Sequence, residues 1–426
     1  MPITPSDPKL NTFSHEYSIE SEFKRFDLDE SRFCLSDQNK RYELCETYPS
    51  LLIIPKNLQK SDLMDISYSF IHNEFPVITW HQDGIFILRS AAIWTKFNIQ
   101  SICLENYFKK LFALSSNCYG VQILRFNDEV DIVDEKAVVN LIQRATPGFV
   151  NVHQELTVFN SEVQNAFEAM RCVLQTPSAY SSLQDHFKKL QIYPLITKLL
   201  DIAIFGASAM INKRCSLFFK HKSPKGPYCI VLCLIQILVD PYYRTIEGFY
   251  KLIQKDWISF GFPFAKSSFH RQQTPHNVRK ANNDLNAKSQ EAAPYDTPQH
   301  SCHIFILFLD CCFQLLIQFC SQFEFNENYL LVFAHELHNC YFLNFLSNNE
   351  RKYSRFKASY QENSLIYLID RIRPDLLSST YNPKNLQPMI LPETEHKYLA
   401  IWKSLYWRNF PSQKCFKKFH LYYEPY

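Results

Sequence analysis

The chain has 426 residues, 46% hydrophobic and 15% aromatic, with 36 Phe and 24 Tyr; this composition buries a large core and excludes a mostly disordered chain. Against 45 basic residues stand 42 acidic ones, a formal charge of +3, so there is no general case for nucleic-acid binding, and affinity for charged lipid has to come from a local patch. Fourteen cysteines, none in a Cys-x-x-Cys pair, follow a polar Met1–Phe23 without the apolar core of a signal peptide, which predicts reduced, mostly buried thiols in the cytosol.

In chain order, residues 1–40 read as a polar end with a lead-in strand or two. Tyr42–Ile54 turns into the apolar run Leu51-Leu52-Ile53-Ile54, ending in two β-branched residues and closed by Pro55, the pattern of a buried strand. Asp62–Asn73 has helical spacing. Phe75–Trp80 and Gly84–Arg89 make a strand pair, a hairpin around His81–Gly84. Residues 150–215 read as mainly helical, over Glu162–Leu174 and Leu183–Phe205, with Pro194 breaking the second stretch. Cys215–Phe219 is an apolar strand, and Tyr228–Val239 and Ile304–Phe319 are core helices. The first is too short for the ~20 residues of a membrane span, and the second is interrupted by Asp310, Gln314 and Gln318. Ser267–His300, polar and nearly free of aliphatic residues, reads as a disordered insertion. A polar stretch over Asn348–Asn363 then leads to a tail anchored by Trp402, Tyr406 and Trp407.

One segment has the layout of a phosphate site: a strand, the basic loop Lys220–Pro227, and the N-terminus of a buried helix. Lys220, Lys222, Ser223, Lys225 and Gly226 are its candidate phosphate or lipid contacts, with His221 among them. The bland alternative is a solvated basic loop. Pro224 and Pro227 remove two amide donors, and Gly226 is the loop's one glycine in a chain holding only 7, whereas loops that wrap phosphate usually need several.

Other constellations carry less. His335-Glu336-Leu337-His338 spaces its histidines three apart, not the four of a metalloprotease helix, and lacks a third ligand. His300, Cys302 and His303 fit no standard zinc spacing. No metal or cofactor is expected. Lys414–Lys418 reads as a solvated chain end, and Arg244 as a structural ion-pair partner.

Several motifs resemble one family. Tyr42-Glu43-Leu44-Cys45-Glu46-Thr47-Tyr48-Pro49, Phe75-Pro76-Val77-Ile78-Thr79-Trp80 and Asp240-Pro241-Tyr242-Tyr243-Arg244-Thr245-Ile246-Glu247-Gly248-Phe249 with Trp257-Ile258-Ser259-Phe260-Gly261 are similar to segments of the myotubularins, phosphatases of the phosphoinositide 3-position. Asp310-Cys311 with Gln318-Phe319, Phe323–Glu327, and Trp402 with Tyr406-Trp407-Arg408 continue the match over roughly residues 40–410; residues 100–215 match poorly. The resemblance implies an α/β domain of the protein-tyrosine-phosphatase type. Its twisted, mostly parallel sheet is flanked by helices and followed by a helical C-terminal extension. The domain should occupy residues 41–410, between a lead-in over 1–40 and a tail over 411–426. No counterpart of the family's lipid-binding domain or C-terminal coiled coil is expected.

Active members carry His-Cys-x-x-Gly-x-Asp-Arg before the central helix. Counting back from Asp240 places His221 at the cysteine position and Pro227 at the arginine position. None of the fourteen cysteines is followed six residues later by arginine. The thiolate nucleophile and the guanidinium that forks onto two phosphate oxygens are therefore both missing. The resemblance thus implies a pseudophosphatase of the adapter branch, not an enzyme, which partners an active myotubularin phosphatase as a heterodimer. It would be cytoplasmic, peripheral at endomembranes. The alternative is a passive phosphoinositide-binding module that uses the basic loop on a membrane surface.

Overall fold

The computed structural model describes residues 17–93, 102–112, 118–126, 150–156, part of 162–169, 192–221, 226–267, 302–339, 341–359 and 364–406. The lead-in forms a helix, α1 (Ile19–Arg25), where strands were expected. Ser18 caps it by accepting from the Ser21 amide, and Glu20 and Glu22 sit in its first turn, both favourable at the positive end of a helix. A small antiparallel pair follows, β1 (Phe33–Ser36) on β2 (Leu52–Pro55), then α2 (Lys60–Tyr68).

The main sheet has five strands in the order β3-β4-β7-β5-β6. β3 (Val77–Gln82) and β4 (Ile85–Ala91) form the expected hairpin, closed through Gly84 at φ 83°. β7 (Cys215–His221) runs parallel to β4 and to β5 (Gly120–Phe126), and β5 runs parallel to β6 (Val150–Leu156). Three of the four pairings are parallel, as expected. β6 adds an unassigned strand at the start of the stretch 150–215, read as mainly helical: Val150-Asn151-Val152 is a short alternating run, which helical counting overlooks. The helix α3 (Ile102–Phe112) lies between β4 and β5 in sequence.

Pro194 does not break its helix. It is the third residue of α4 (Ile192–Ile211), where a first-turn proline gives up an amide with no helical partner. Among the described residues α4 is the one helix long and apolar enough to cross a bilayer, and 56% of its apolar window is buried within the domain.

α4 packs on α5 (Tyr228–Val239), whose twelve residues are all buried. Burying a Leu- or Ile-sized side chain contributes about 1.5–3 kcal/mol, so α5 is the centre of the fold. Its one carboxamide, Gln236, donates to Leu232 O at 3.1 Å and Asp256 Oδ2 at 2.9 Å and accepts from Lys255 Nζ at 2.7 Å. Those last two partners lie on a π-helical turn, Ile253–Ser259, that continues α6 (Ile246–Leu252).

The C-terminal half is helical as expected, with α7 (Cys302–Gln318), α8 (Glu327–Asn339), α9 (Glu350–Ser359) and α10 (Leu365–Leu376). α9 lies within the polar stretch Asn348–Asn363, where no element was assigned. The expected insertion falls, Ser267 apart, almost wholly outside the described residues.

The interruptions that argued against a membrane span in α7 have a structural use. Gln314 exchanges two hydrogen bonds with the Ala400 backbone and Gln318 two with Glu393; beyond the helix end, Gln322 donates to Asn385 O and accepts from Gln387 N. Carboxamides spaced four apart share a helix face, and here they fasten the extended segment over residues 385–400 by its main chain. Trp402 then stacks on Phe313 and donates to Glu327, while Tyr406 donates to Asp310.

Gly248, within the motif that carried the resemblance, tests this packing. A Cβ there would lie 1.9 Å from the Tyr242 carbonyl oxygen. Gly248→Ala should therefore lower stability by about 3 kcal/mol. The check is a fall in the urea midpoint at unchanged m-value.

Candidate functional site

β7 delivers Lys220 and His221 to the mouth of the loop, and Gly226 and Pro227 receive the chain at α5. Lys222, Ser223 and Lys225 lie outside the described residues. Lys220, expected as a phosphate or lipid contact, is 4% exposed, and His221 is 2% exposed. The cause is the sheet: β7 lies between β4 and β5, pairing Lys220 with Ser90 and Arg125, and His221 with Ala91 and Phe126. Both residues are still strand at the point where a phosphate loop would begin. Ala92 N closes the ladder onto His221 O at 2.8 Å.

The His221 ring stacks on Tyr228, the first residue of α5, with centroids 3.9 Å apart and planes at 8°. Its Nε2 lies 3.4 Å from Glu74 Oε2, with both side chains buried. Glu74 Oε1 accepts from Thr47 Oγ1 at 2.6 Å. Burial raises the Glu74 carboxyl to about 7 against the pull of Thr47 and Arg89. The pair is enclosed, with His221 2% and Glu74 1% exposed.

At the other end, Pro227 is the N-cap residue of α5 and makes no side-chain cap hydrogen bond. It offers the helix terminus neither an amide donor nor a charge.

Two arginines elsewhere are candidates to replace the missing one. Arg89, on β4, is buried and donates to Tyr228 Oη at 2.5 Å and to the carbonyls of Asp256 and Phe260, each at 3.1 Å. Arg244 is buried too, and donates to the carbonyls of Gln387 and Pro388. Both guanidiniums are turned into the protein; Arg244 was expected to be an ion-pair partner, and among the described residues its partners are instead main-chain carbonyls and Gln322. Nearby thiols are equally enclosed: burial pushes Cys229 up to about 11, against Arg89, and Cys45 up to about 12.

Sequence reasoning missed Glu74, Arg89 and Tyr228 as the surroundings of His221. Arg89 carried a signal, as a charged residue ending the apolar run Ile85–Leu88. Glu74 carried none, because its neighbourhood forms only when the Ile71–Asn73 turn is folded against the end of β4, where Ala91 N donates to Glu74 O. Elsewhere, His335 Nδ1 lies 3.2 Å from Glu336 Oε1 and His303 stacks on Phe167. Among the described residues no group of three or more His, Cys, Asp or Glu is placed to hold a metal ion. His300 and the basic run Lys414–Lys418 lie outside them.

The model of the myotubularin-like phosphatase domain matches residues 4–354. The chain is 26% identical over 409 residues to mouse phosphatidylinositol-3,5-bisphosphate 3-phosphatase MTMR6, covering 91% of this chain and 60% of that protein. It is 25% identical over 402 residues to human phosphatidylinositol-3,5-bisphosphate 3-phosphatase MTMR8 (91% and 52%) and 25% identical over 406 residues to myotubularin of Xenopus tropicalis (92% and 62%). It thus spans between half and two thirds of these relatives' length.

The His221–Glu74 pair gives a test by pH. The Glu74 carboxyl is raised from 4.5 to about 7 on folding, so the folded chain holds this proton more tightly than the unfolded one. The stability this contributes is full below pH 4.5 and is lost as pH rises through 7. Glu74→Gln should flatten the fall in stability across that window and gain up to about 3 kcal/mol over the parent at pH 8. Urea unfolding from pH 5 to pH 8 measures it.

Proposed function

Because the chain belongs to the myotubularin-like phosphatase family, we propose that it is a catalytically inactive member, working as an adaptor that binds an active phosphoinositide 3-phosphatase and adjusts its stability, location or activity. The observation that carries this reading is the pair of replacements, His221 and Pro227, together with the burial of His221 against Tyr228 and Glu74.

Phosphomonoester cleavage by a cysteine phosphatase needs a thiolate in line with phosphorus and donors around the equatorial oxygens. His221 has nitrogens in place of sulfur, in a position closed to substrate. A phosphohistidine route needs a cation clamp and an acid to protonate the leaving oxygen. Pro227 supplies no clamp, and Arg89 and Arg244 are committed to carbonyls inside the protein. Glu74 could hold a proton, but behind the imidazole rather than beside a leaving group.

The lipid-binding alternative is weakened by the burial of Lys220 and rests on Lys222 and Lys225. The adaptor reading asks less of this site, since partner binding uses the preserved scaffold and not the loop.

Two measurements test the proposal. The purified chain should release no phosphate from phosphatidylinositol 3-phosphate, and His221→Cys should restore none, because the arginine is still absent and the ring's position is enclosed. Co-precipitation should recover an active myotubularin phosphatase with the full chain. Turnover that persists in His221→Ala, or no capture of any active family member, would refute the reading.

A further inference from the structure

The near-neutral chain needs a local patch to meet a charged surface, and the structure builds one on α9. Along Glu350-Arg351-Lys352-Tyr353-Ser354-Arg355-Phe356-Lys357-Ala358-Ser359, Tyr353 turns inward to line a cavity of about 210 Å3 with Tyr17 and Tyr250. Lys352, Arg355 and Phe356 face out; Phe356 is 41% exposed.

The helix's single acid is withdrawn from that face. Glu350 Oε1 accepts from Ser50 N at 2.8 Å, Ser50 Oγ at 2.7 Å and Tyr42 Oη at 3.3 Å. These bonds tie the start of α9 to the turn that carries exposed Lys40 and Arg41. Of the acids in that turn and the segment after it, Glu46 is bridged to Arg351 and Glu43 to Lys60, and Asp37 remains. Lys352 and Arg355 thus flank an exposed aromatic ring on a short surface helix, with Lys40 and Arg41 near the helix's start, the arrangement that seats at a bilayer interface.

Thr47, one residue after Glu46, donates to Glu74, which faces His221. Through Glu46 and Thr47, α9 is thus connected by side-chain contacts to Glu74 and His221.

We propose that α9, with the Lys40–Arg41 turn, is a docking surface for an anionic lipid bilayer, with Phe356 entering the interface and the cations meeting headgroup phosphates. It recognises surface charge and not a particular headgroup. It rests on neither the adaptor reading nor the basic loop.

The test uses the full chain and vesicles of phosphatidylcholine alone or mixed with phosphatidylserine, containing no phosphoinositide. The parent should float with the mixed vesicles and not with phosphatidylcholine. At about five-fold per cation, Lys352→Ala with Arg355→Ala should cut partitioning on the order of 25-fold, and added salt should weaken the parent. Lys352→Gln with Arg355→Gln serves as a second pair, and the thermal midpoint of each variant checks that it is folded. Phe356→Trp should show a blue-shifted emission on the mixed vesicles only. Equal binding by parent and double variant, an emission from the Phe356→Trp variant that does not shift on the mixed vesicles, or loss of binding through Lys222→Ala with Lys225→Ala alone would each overturn the proposal. So would binding to an acidic polypeptide such as polyglutamate but not to the mixed vesicles.

Discussion

A helix with no solvent-facing side sets the terms for the rest of this molecule. Helix α5 is buried from Tyr228 to Val239, so everything around it, sheet, flanking helices and π-helical turn, is arranged to enclose an apolar rod. The carboxamide in the middle of that rod, Gln236, has to be met inside the protein, because an unsatisfied one costs about 1–3 kcal/mol. Lys255 and Asp256 meet it. They in turn need partners, and Lys255 finds them in Thr79 O at 2.9 Å and Tyr243 Oη at 2.7 Å. Tyr243 passes the chain to Glu22 and Arg25 of α1, and Arg25 reaches Asp240 at the far end of α5. The N-terminal helix is thus held to the core by polar links that begin at one glutamine.

The same burial governs the candidate site. The N-terminus of α5 is as enclosed as its middle: Tyr228 is 0% exposed, and its ring forms the floor on which His221 lies. A phosphate loop needs the opposite, a helix N-terminus open to an anion with free amides around it. Here the helix starts at a proline, the strand ends in a histidine still locked into the sheet, and Glu74 lies beside that histidine while Arg89 donates to Tyr228. Under the proposed reading the pocket has become part of the core, which is why the cations next to it point inward.

Much of the fold was legible because its strongest signals are local. Leu51–Ile54, the hairpin around Gly84 and the uninterrupted apolar run of α5 each announce one element through period and turn chemistry. The failures share a cause. β6 is an edge strand identified only by its partner β5, and α1 is polar enough to pass for a loop until its cap and its links to Tyr243 are seen. Pro194 misled because a proline in a first turn and a proline in mid-helix look alike before the helix start is known. At the site, sequence located His221 and Pro227 from the spacing to Asp240. It could not foresee that Lys220 would be buried, since exposure of a strand's last residues depends on the neighbours the topology supplies.

The glutamines of α7 and of the turn after it show how a polar residue can be misjudged for the same reason. Gln314 and Gln318 look like interruptions in an apolar helix, yet they and Gln322 each hydrogen-bond the main chain of the segment over residues 385–400, whose side chains are mostly exposed. Fastening by backbone leaves those side chains free of packing demands, while Trp402 and Tyr406 fix the register. Loop chemistry and scaffold are likewise separable in this chain. The motifs that maintain the scaffold, Gly248 against the Tyr242 carbonyl and Trp257 among Phe262, Phe305 and Phe308, lie in side-chain packing that makes no use of a thiolate or a phosphate-gripping arginine. A domain held together in this way can lose its reaction without losing its shape, and shape is what an adaptor offers a partner.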